Sequence, residues 1–139
     1  MYKRIISLLC AFTIIGSFNV TDCSTAAVVQ PVAPAYSYTS NCTSTLLLSG
    51  STLTCDSYIE GYYNITDKIV VYQYLQRKNA SNEWVTIYSW YNVINNHIGS
   101  VINYRYSVAS GSYRLKTTFD VYSGTNYETI TKYSKTKTI

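Results

Sequence analysis

The stretch from Lys68 to Trp90, KIVVYQYLQRKNASNEWVTIYSW, limits what the rest of the chain can become. Two runs rich in branched and aromatic residues flank Asn79 to Asn82, a segment with turn chemistry, so the stretch reads as two strands folded back on each other. The first arm is apolar on both faces. Ile69, Val71 and Leu75 share one face, with Gln73 out of place among them, and Val70, Tyr72 and Tyr74 share the other. The second arm, Trp84 to about Val93, sets Trp84, Thr86, Tyr88 and Trp90 on one face. A slip of one residue in pairing exchanges the two faces. The register adopted puts Val71, Leu75 and Trp90 in the core, and Tyr72 and Tyr74 outside, beside Tyr91 or Tyr58. An isolated hairpin is marginal in water, so further strands must bury one of its faces.

The flanking sequence supplies them. A short strand is expected over Thr43 to Leu48, ended by Ser49-Gly50. From Ser51 to Tyr62 the chain alternates: Leu53, Cys55, Ser57 and Ile59 point one way, Thr52, Thr54, Asp56, Tyr58 and Glu60 the other. That is the pattern of a half-buried strand with a wet outer face. Ser100 to Val108 alternates again, and Ser112 to Tyr122 puts Tyr113, Leu115, Thr117, Phe119 and Val121 on one side. Ser123 to Asn126 reads as a hairpin turn into a last strand, Tyr127 to Tyr133. Short strands at regular spacing, with no helical period beyond the first residues, predict an all-β antiparallel sandwich of about seven strands.

The first residues are different in kind. MYKRIISLLCAFTIIGSF has a basic start and an apolar run too short for a comfortable membrane span, which predicts a secretory leader over residues 1–27. An uncleaved N-terminal anchor is the alternative, and the only membrane contact foreseen. Residues 28–41 carry both prolines and no charge and read as an extended linker, leaving 42–139 as the sandwich. The C-terminal KYSKTKTI has neither a hydrophobic tail nor a sorting signal, so a secreted, extracellular protein is expected. Cys10 and Cys23 go with the leader. Cys42 and Cys55 remain, an even pair for an oxidising compartment, and a disulfide between them would stabilise the fold by roughly 3 kcal/mol. Two buried thiols are the alternative.

The net charge of +4 falls to +3 once Lys3, Arg4 and Asp22 leave with the leader, and the remaining basic residues are scattered along the sequence. Nucleic-acid binding asks for a denser basic stripe, so no nucleic-acid partner is expected.

Gly111-Ser112-Tyr113-Arg114-Leu115 resembles the start of the sixth strand of immunoglobulin-like domains, where a tyrosine hydroxyl staples the corner to nearby backbone. The resemblance implies an immunoglobulin-like sandwich with Tyr113 and Trp90 as structural residues. The inter-sheet cysteine pair of antibody domains is missing, with Leu115 and Thr117 in its place. More narrowly, Tyr74-Leu75-Gln76-Arg77-Lys78, Trp84, Ser89-Trp90 and Gly111-Ser112-Tyr113-Arg114 are similar to a family of small secreted proteins of Gram-positive bacteria, over roughly residues 43 to 134. That likeness implies a fold and a compartment and carries no site.

Chemistry is sparse. His97 lies in a polar loop without cysteine or acidic neighbours, so no metal and no cofactor is expected. Asp56 and Glu60 share a strand face roughly 13 Å apart, too far for a glycosidase pair. Asp67 alone makes a weak calcium ligand. Asn41, Asn64 and Asn79 fit the N-glycosylation pattern, which carries little weight in a bacterial product. What is left is aromatic surface. Packing is the first reading of Tyr72, Tyr74 and Tyr91, since cross-strand tyrosines stabilise sheets without a ligand. The second is a platform offering flat rings and hydroxyls to a glycan or a protein at the cell surface. The expectation is a secreted, non-enzymatic binding module. The alternatives are an envelope-associated protein that self-associates through an edge strand and, lower, a small hydrolase.

Overall fold

The computed structural model describes residues 35–139. The leader foreseen over 1–27, with Cys10 and Cys23, and the linker as far as residue 34 lie outside the described residues.

The chain forms an all-β antiparallel sandwich. In order the strands are β1 (Thr39–Ser49), β2 (Thr52–Gly61), β3 (Lys68–Lys78), β4 (Trp84–Ile94), β5 (Ile98–Arg105), β6 (Ser112–Ser123), β7 (Asn126–Tyr133) and the two-residue β8 (Lys137–Thr138). One sheet has the order β1-β2-β5; the other has β4-β3-β6-β7, with β8 pairing the start of β6. The tight turns use residues that tolerate positive φ: Gly50 and Gly124 between neighbouring strands, and Asn82 in the β3–β4 turn. In that turn the Asn79 side chain accepts from the Glu83 amide, and the Asn79 amide donates to the Glu83 carbonyl, both at 2.9 Å.

Alternation does what the pattern asks of it. Leu53, Cys55, Ser57 and Ile59 of β2 face Tyr113, Leu115, Thr117, Phe119 and Val121 of β6 across the interior, and all are buried. The interior is not uniform. One apolar cluster gathers Ile59, Ile69, Val71, Phe119, Val121 and Ile130, and a second gathers Leu46, Leu53, Leu75, Tyr113 and Leu115. Between them runs a polar belt centred on Gln73, whose side chain is fully buried. Gln73 Nε2 donates to Ser57 Oγ at 2.7 Å and to the Val101 carbonyl at 3.0 Å, while its Oε1 accepts from Asn103 at 2.7 Å. Ser57 and Thr117 hydroxyls meet at 2.8 Å, as do those of Thr117 and Ser44. Thus the residue that looked misplaced in the apolar row is the hub of a satisfied network.

The disulfide expected between Cys42 and Cys55 is not formed; both are free, buried thiols. Register explains why. Cys42 stands opposite Ile59, whereas Cys55 stands opposite Leu46, four residues further along the ladder. That offset is roughly 13 Å at about 3.3 Å per residue, whereas a bridge needs Cα atoms within about 7 Å. Each thiol lines a different apolar cluster. Burial pushes Cys55 up to about 12 and raises Cys42 as well, the latter against the lowering influence of Lys132.

Two boundaries differ from the sequence pattern. β1 begins at Thr39, earlier than the apolar run that suggested it. Just before it, Glu128 of β7 accepts hydrogen bonds from the amides of Ser37 and Tyr38, at 2.8 and 2.9 Å. The second difference is a bulge in β4. Leu75 pairs with Tyr88 but Gln76 pairs with Thr86, so Ile87 is an extra residue. The expected single face of Trp84, Thr86, Tyr88 and Trp90 is therefore split. Trp84 and Thr86 stand opposite outward-facing Lys78 and Gln76, while Trp90 stands opposite inward-facing Gln73 and packs, half-buried, on the second cluster.

Candidate binding face

Because odd-numbered residues of β3 point inward, Tyr72 and Tyr74 point out from the larger sheet. Tyr72 is flanked by Tyr91 of β4 and Thr118 of β6; Tyr74 is flanked by Ser89 and Lys116. Tyr72 and Tyr91 are in contact, with ring centroids 5.3 Å apart and planes tilted by 56°, and Tyr91 is 61% exposed. No described element packs on this face. Tyr58, offered as a neighbour, is on β2 of the other sheet, where its hydroxyl donates to Glu60 at 3.0 Å.

The row extends in both directions. Towards the β6–β7 turn, Tyr122 and Tyr127 stack at 5.1 Å, and Lys68 Nζ lies 3.9 Å from the Tyr122 ring centre. In the opposite direction, Lys116 Nζ lies 5.6 Å from the Tyr74 ring centre. Beyond it the Arg114 guanidinium sits between two rings, 4.5 Å from each of Trp84 and Tyr133. Arg114 Nε donates to Gln76 Oε1 at 2.8 Å, and Gln76 Nε2 donates to Thr86 at 3.3 Å, which links β6, β3 and β4 side by side. Cation–π contacts of this kind hold long basic side chains flat on the sheet. Desolvation within the row, and then Asp120, raise the Tyr72 phenol above its ordinary value.

The structure thus places Tyr72, Tyr74 and Tyr91 on one face, Tyr72 and Tyr91 in ring contact. Trp90 and Tyr113 are on the opposite, inner side of the sheet, Trp90 half-buried and Tyr113 fully buried. The Tyr113 hydroxyl donates to the Ala109 carbonyl at 2.5 Å, closing the corner between β5 and β6. Trp84 and Arg114 entered the sequence reading only as motif and strand residues, and Lys116 and Tyr133 not as site residues at all. Arg114 and Lys116 do occupy the outward positions between Tyr113, Leu115 and Thr117, a visible signal. What they lie beside depends on strand pairing, which is not.

The other groups considered for chemistry stay apart. Asp67 uses its carboxylate to accept from the Gly124 amide at 2.7 Å, tying the β2–β3 loop to the β6–β7 turn. His97 packs edge-on against Tyr63, at 5.2 Å between ring centres. Among the described residues no group of three His, Cys, Asp or Glu side chains is placed to hold a metal ion.

No family model matches the chain, and no curated protein does. Among solved structures, wild-type OgpA from Akkermansia muciniphila is similar over 79% of this chain, with 13% sequence identity and a TM-score of 0.43. The matching region spans 30% of the length of that chain. What defines the protein is therefore its own architecture: a two-sheet antiparallel sandwich with an aromatic and basic outer face.

Proposed function

We propose that this is a secreted, non-enzymatic, immunoglobulin-like module that binds a glycan, or a protein displaying one, through the outer face of the β4-β3-β6-β7 sheet. The observation that carries the reading is the Tyr72–Tyr91 pair, two phenol rings in contact on a face that no described element covers. Rings held by cross-strand packing are rigid before a ligand arrives, so little side-chain entropy is lost on binding. The immunoglobulin-like assignment is supported by the Tyr113–Ala109 hydrogen bond at the corner and by the strand orders β1-β2-β5 and β4-β3-β6-β7. Secretion is supported by the basic and apolar start of the sequence, and membership of the Gram-positive secreted family by the motifs named above.

A glycan array probed with wild-type protein and with Tyr72→Ala/Tyr91→Ala tests the proposal. A sugar signal lost in the double variant, at unchanged melting temperature, is expected; signals that survive it would place binding elsewhere.

Self-association through an edge strand is the second reading. It is favoured by β4, whose outer edge has no partner among the described residues and which exposes Val85, Ile87 and Tyr88. Sedimentation that depends on concentration, and is abolished by Ile87→Lys, would support it.

A further inference from the structure

We infer that the Arg114 end of the aromatic face and the groove beside it form one continuous site for an acidic polysaccharide, a chain bearing carboxylate or sulfate groups; this rests on the face being a glycan surface, as proposed above.

Basic residues far apart in sequence are gathered here by strand pairing. Lys78 at the end of β3 and Arg114 and Lys116 on β6 share the outer face. None has a carboxylate opposite it: Lys116 lies between Tyr74 and Tyr133, Arg114 faces Gln76, and Lys78 faces Trp84. Glu83 in the adjoining turn is engaged by Asn79, and like charges with no carboxylate opposite them repel one another and attract anions. Arg114 is also pre-positioned. Its planes rest on Trp84 and Tyr133 and its Nε is held by Gln76, which leaves its Nη nitrogens as the remaining donors. A fixed guanidinium presents the fork that matches a carboxylate or sulfate.

Tyr133 connects the face to a groove. Tyr133, whose ring lies on Arg114, is also among the residues lining a depression of about 410 Å³ between β1 and the β7–β8 edge. Thr43 and Thr45 lie on the β1 wall, and Lys135 and Lys137 on the other. A chain crossing from Lys116 over Tyr133 would thus meet cations on the face, then cations and hydroxyls in the groove.

The chemistry favours a sugar polymer over other polyanions. Arg114 lies against Trp84 and Tyr133 and Lys116 against Tyr74, which takes up part of the ring surface that bases would stack on. An acidic sugar needs no such face at this end. Its anionic group reaches the cations, its hydroxyls meet Thr43 and Thr45, and neighbouring residues of the chain reach Tyr72 and Tyr91. The secretory start of the sequence agrees, since acidic polysaccharides are surface polymers.

Calorimetric titration of the purified full-length protein at low salt tests this with polygalacturonate, dextran sulfate, neutral dextran, poly-glutamate and an oligo-dT single strand. At least one acidic polysaccharide should bind. Binding should weaken about tenfold in Arg114→Gln/Lys116→Gln and again in Lys135→Gln/Lys137→Gln, as expected for lost charge-assisted contacts. Both pairs are surface changes, and an unchanged melting temperature verifies that they fold. Dextran should not bind, and poly-glutamate and oligo-dT should bind at least tenfold more weakly. Equal binding of poly-glutamate or oligo-dT would overturn the polysaccharide assignment. A response to only one pair of variants would overturn the continuity of face and groove. A neutral glycan captured through Tyr72 and Tyr91, with no response to either pair, would sink the acidic site while leaving the proposed face intact. Silence from every polysaccharide and from the glycan array would sink both.

Discussion

Gln73 of β3 and Ser57 of β2 belong to different sheets, and their side chains meet at 2.7 Å in the middle of the interior. Sheets in a sandwich are ordinarily held together by apolar packing, which is tolerant of small displacements. A hydrogen bond across the gap is not. The amide of Gln73 serves Ser57, Val101 and Asn103 at once, so it fixes how β3 sits over β2 and β5.

Replacing Gln73 with Leu keeps the volume and strips the belt of its hub. Ser57 then keeps Thr117 as its partner while Asn103 loses the Gln73 acceptor, and stability should fall by about 1–3 kcal/mol. The midpoint of urea unfolding reports this directly, at an unchanged slope. A midpoint equal to wild type would show that the belt is energetically idle.

Tyr113→Phe removes only the hydroxyl that donates to Ala109. A loss of about 1 kcal/mol is expected for one hydrogen bond, against about 3–5 kcal/mol for Tyr113→Ala, which also empties the second cluster. Comparing the two by thermal unfolding separates the staple from the packing.

Because Cys42 and Cys55 are free and buried, a thiol reagent should label the native protein slowly and label both at once in denaturant. Their burial also gives stability an alkaline limb. The unfolded Cys55 thiol ionises near 9.0, but the folded one is held up to about 12. Between those values the unfolded chain binds fewer protons, so stability falls as pH rises, by about 1.4 kcal/mol per unit for one group. The contribution is intact below pH 9 and vanishes as the folded thiol ionises. Cys55→Ala should flatten this limb relative to wild type, measured by unfolding at a series of pH values.

Glu128→Gln weakens the two hydrogen bonds that hold Ser37 and Tyr38 against β7. The bonds are partly exposed, so a global loss of about 1 kcal/mol is an upper expectation. The local effect is the sharper readout. Amide exchange at Tyr38 and the first residues of β1 should accelerate several-fold while the β2–β6 interior stays protected.

Much of this architecture was legible in the chain. The alternation Leu53-Cys55-Ser57-Ile59 and the run Tyr113 to Val121 disclose which side faces inward, because the side-chain period of a strand is two. Tyr72, Tyr74 and Tyr91 follow from the same rule. Pairing register is a different matter. Nothing in the order of residues says that Cys42 falls opposite Ile59 rather than near Cys55, so an even pair of cysteines in a chain with a secretory start suggested a bridge that geometry forbids. The extra residue at Ile87 has no signature in the strand's residue pattern, and it moved Trp84 from the expected face to the other. Gln73 could be noticed as an anomaly, but its partners come from β2 and β5, remote in sequence. The gathering of Arg114 and Lys116 beside Trp84 and Tyr133 was hidden in the same way.

The bulge at Ile87 also bears on the fate of the protein at high concentration. β4 is a long, greasy border strand, the sort along which identical molecules can zip into fibrils. One surplus residue within it spoils the even spacing a newcomer would have to copy, so a second copy can pair along only part of it, enough for a limited association and not for an extended ladder. A deletion of Ile87 that restores even spacing should therefore remain foldable yet lose solubility, turning a tolerated irregularity into the difference between a dispersed protein and a precipitate.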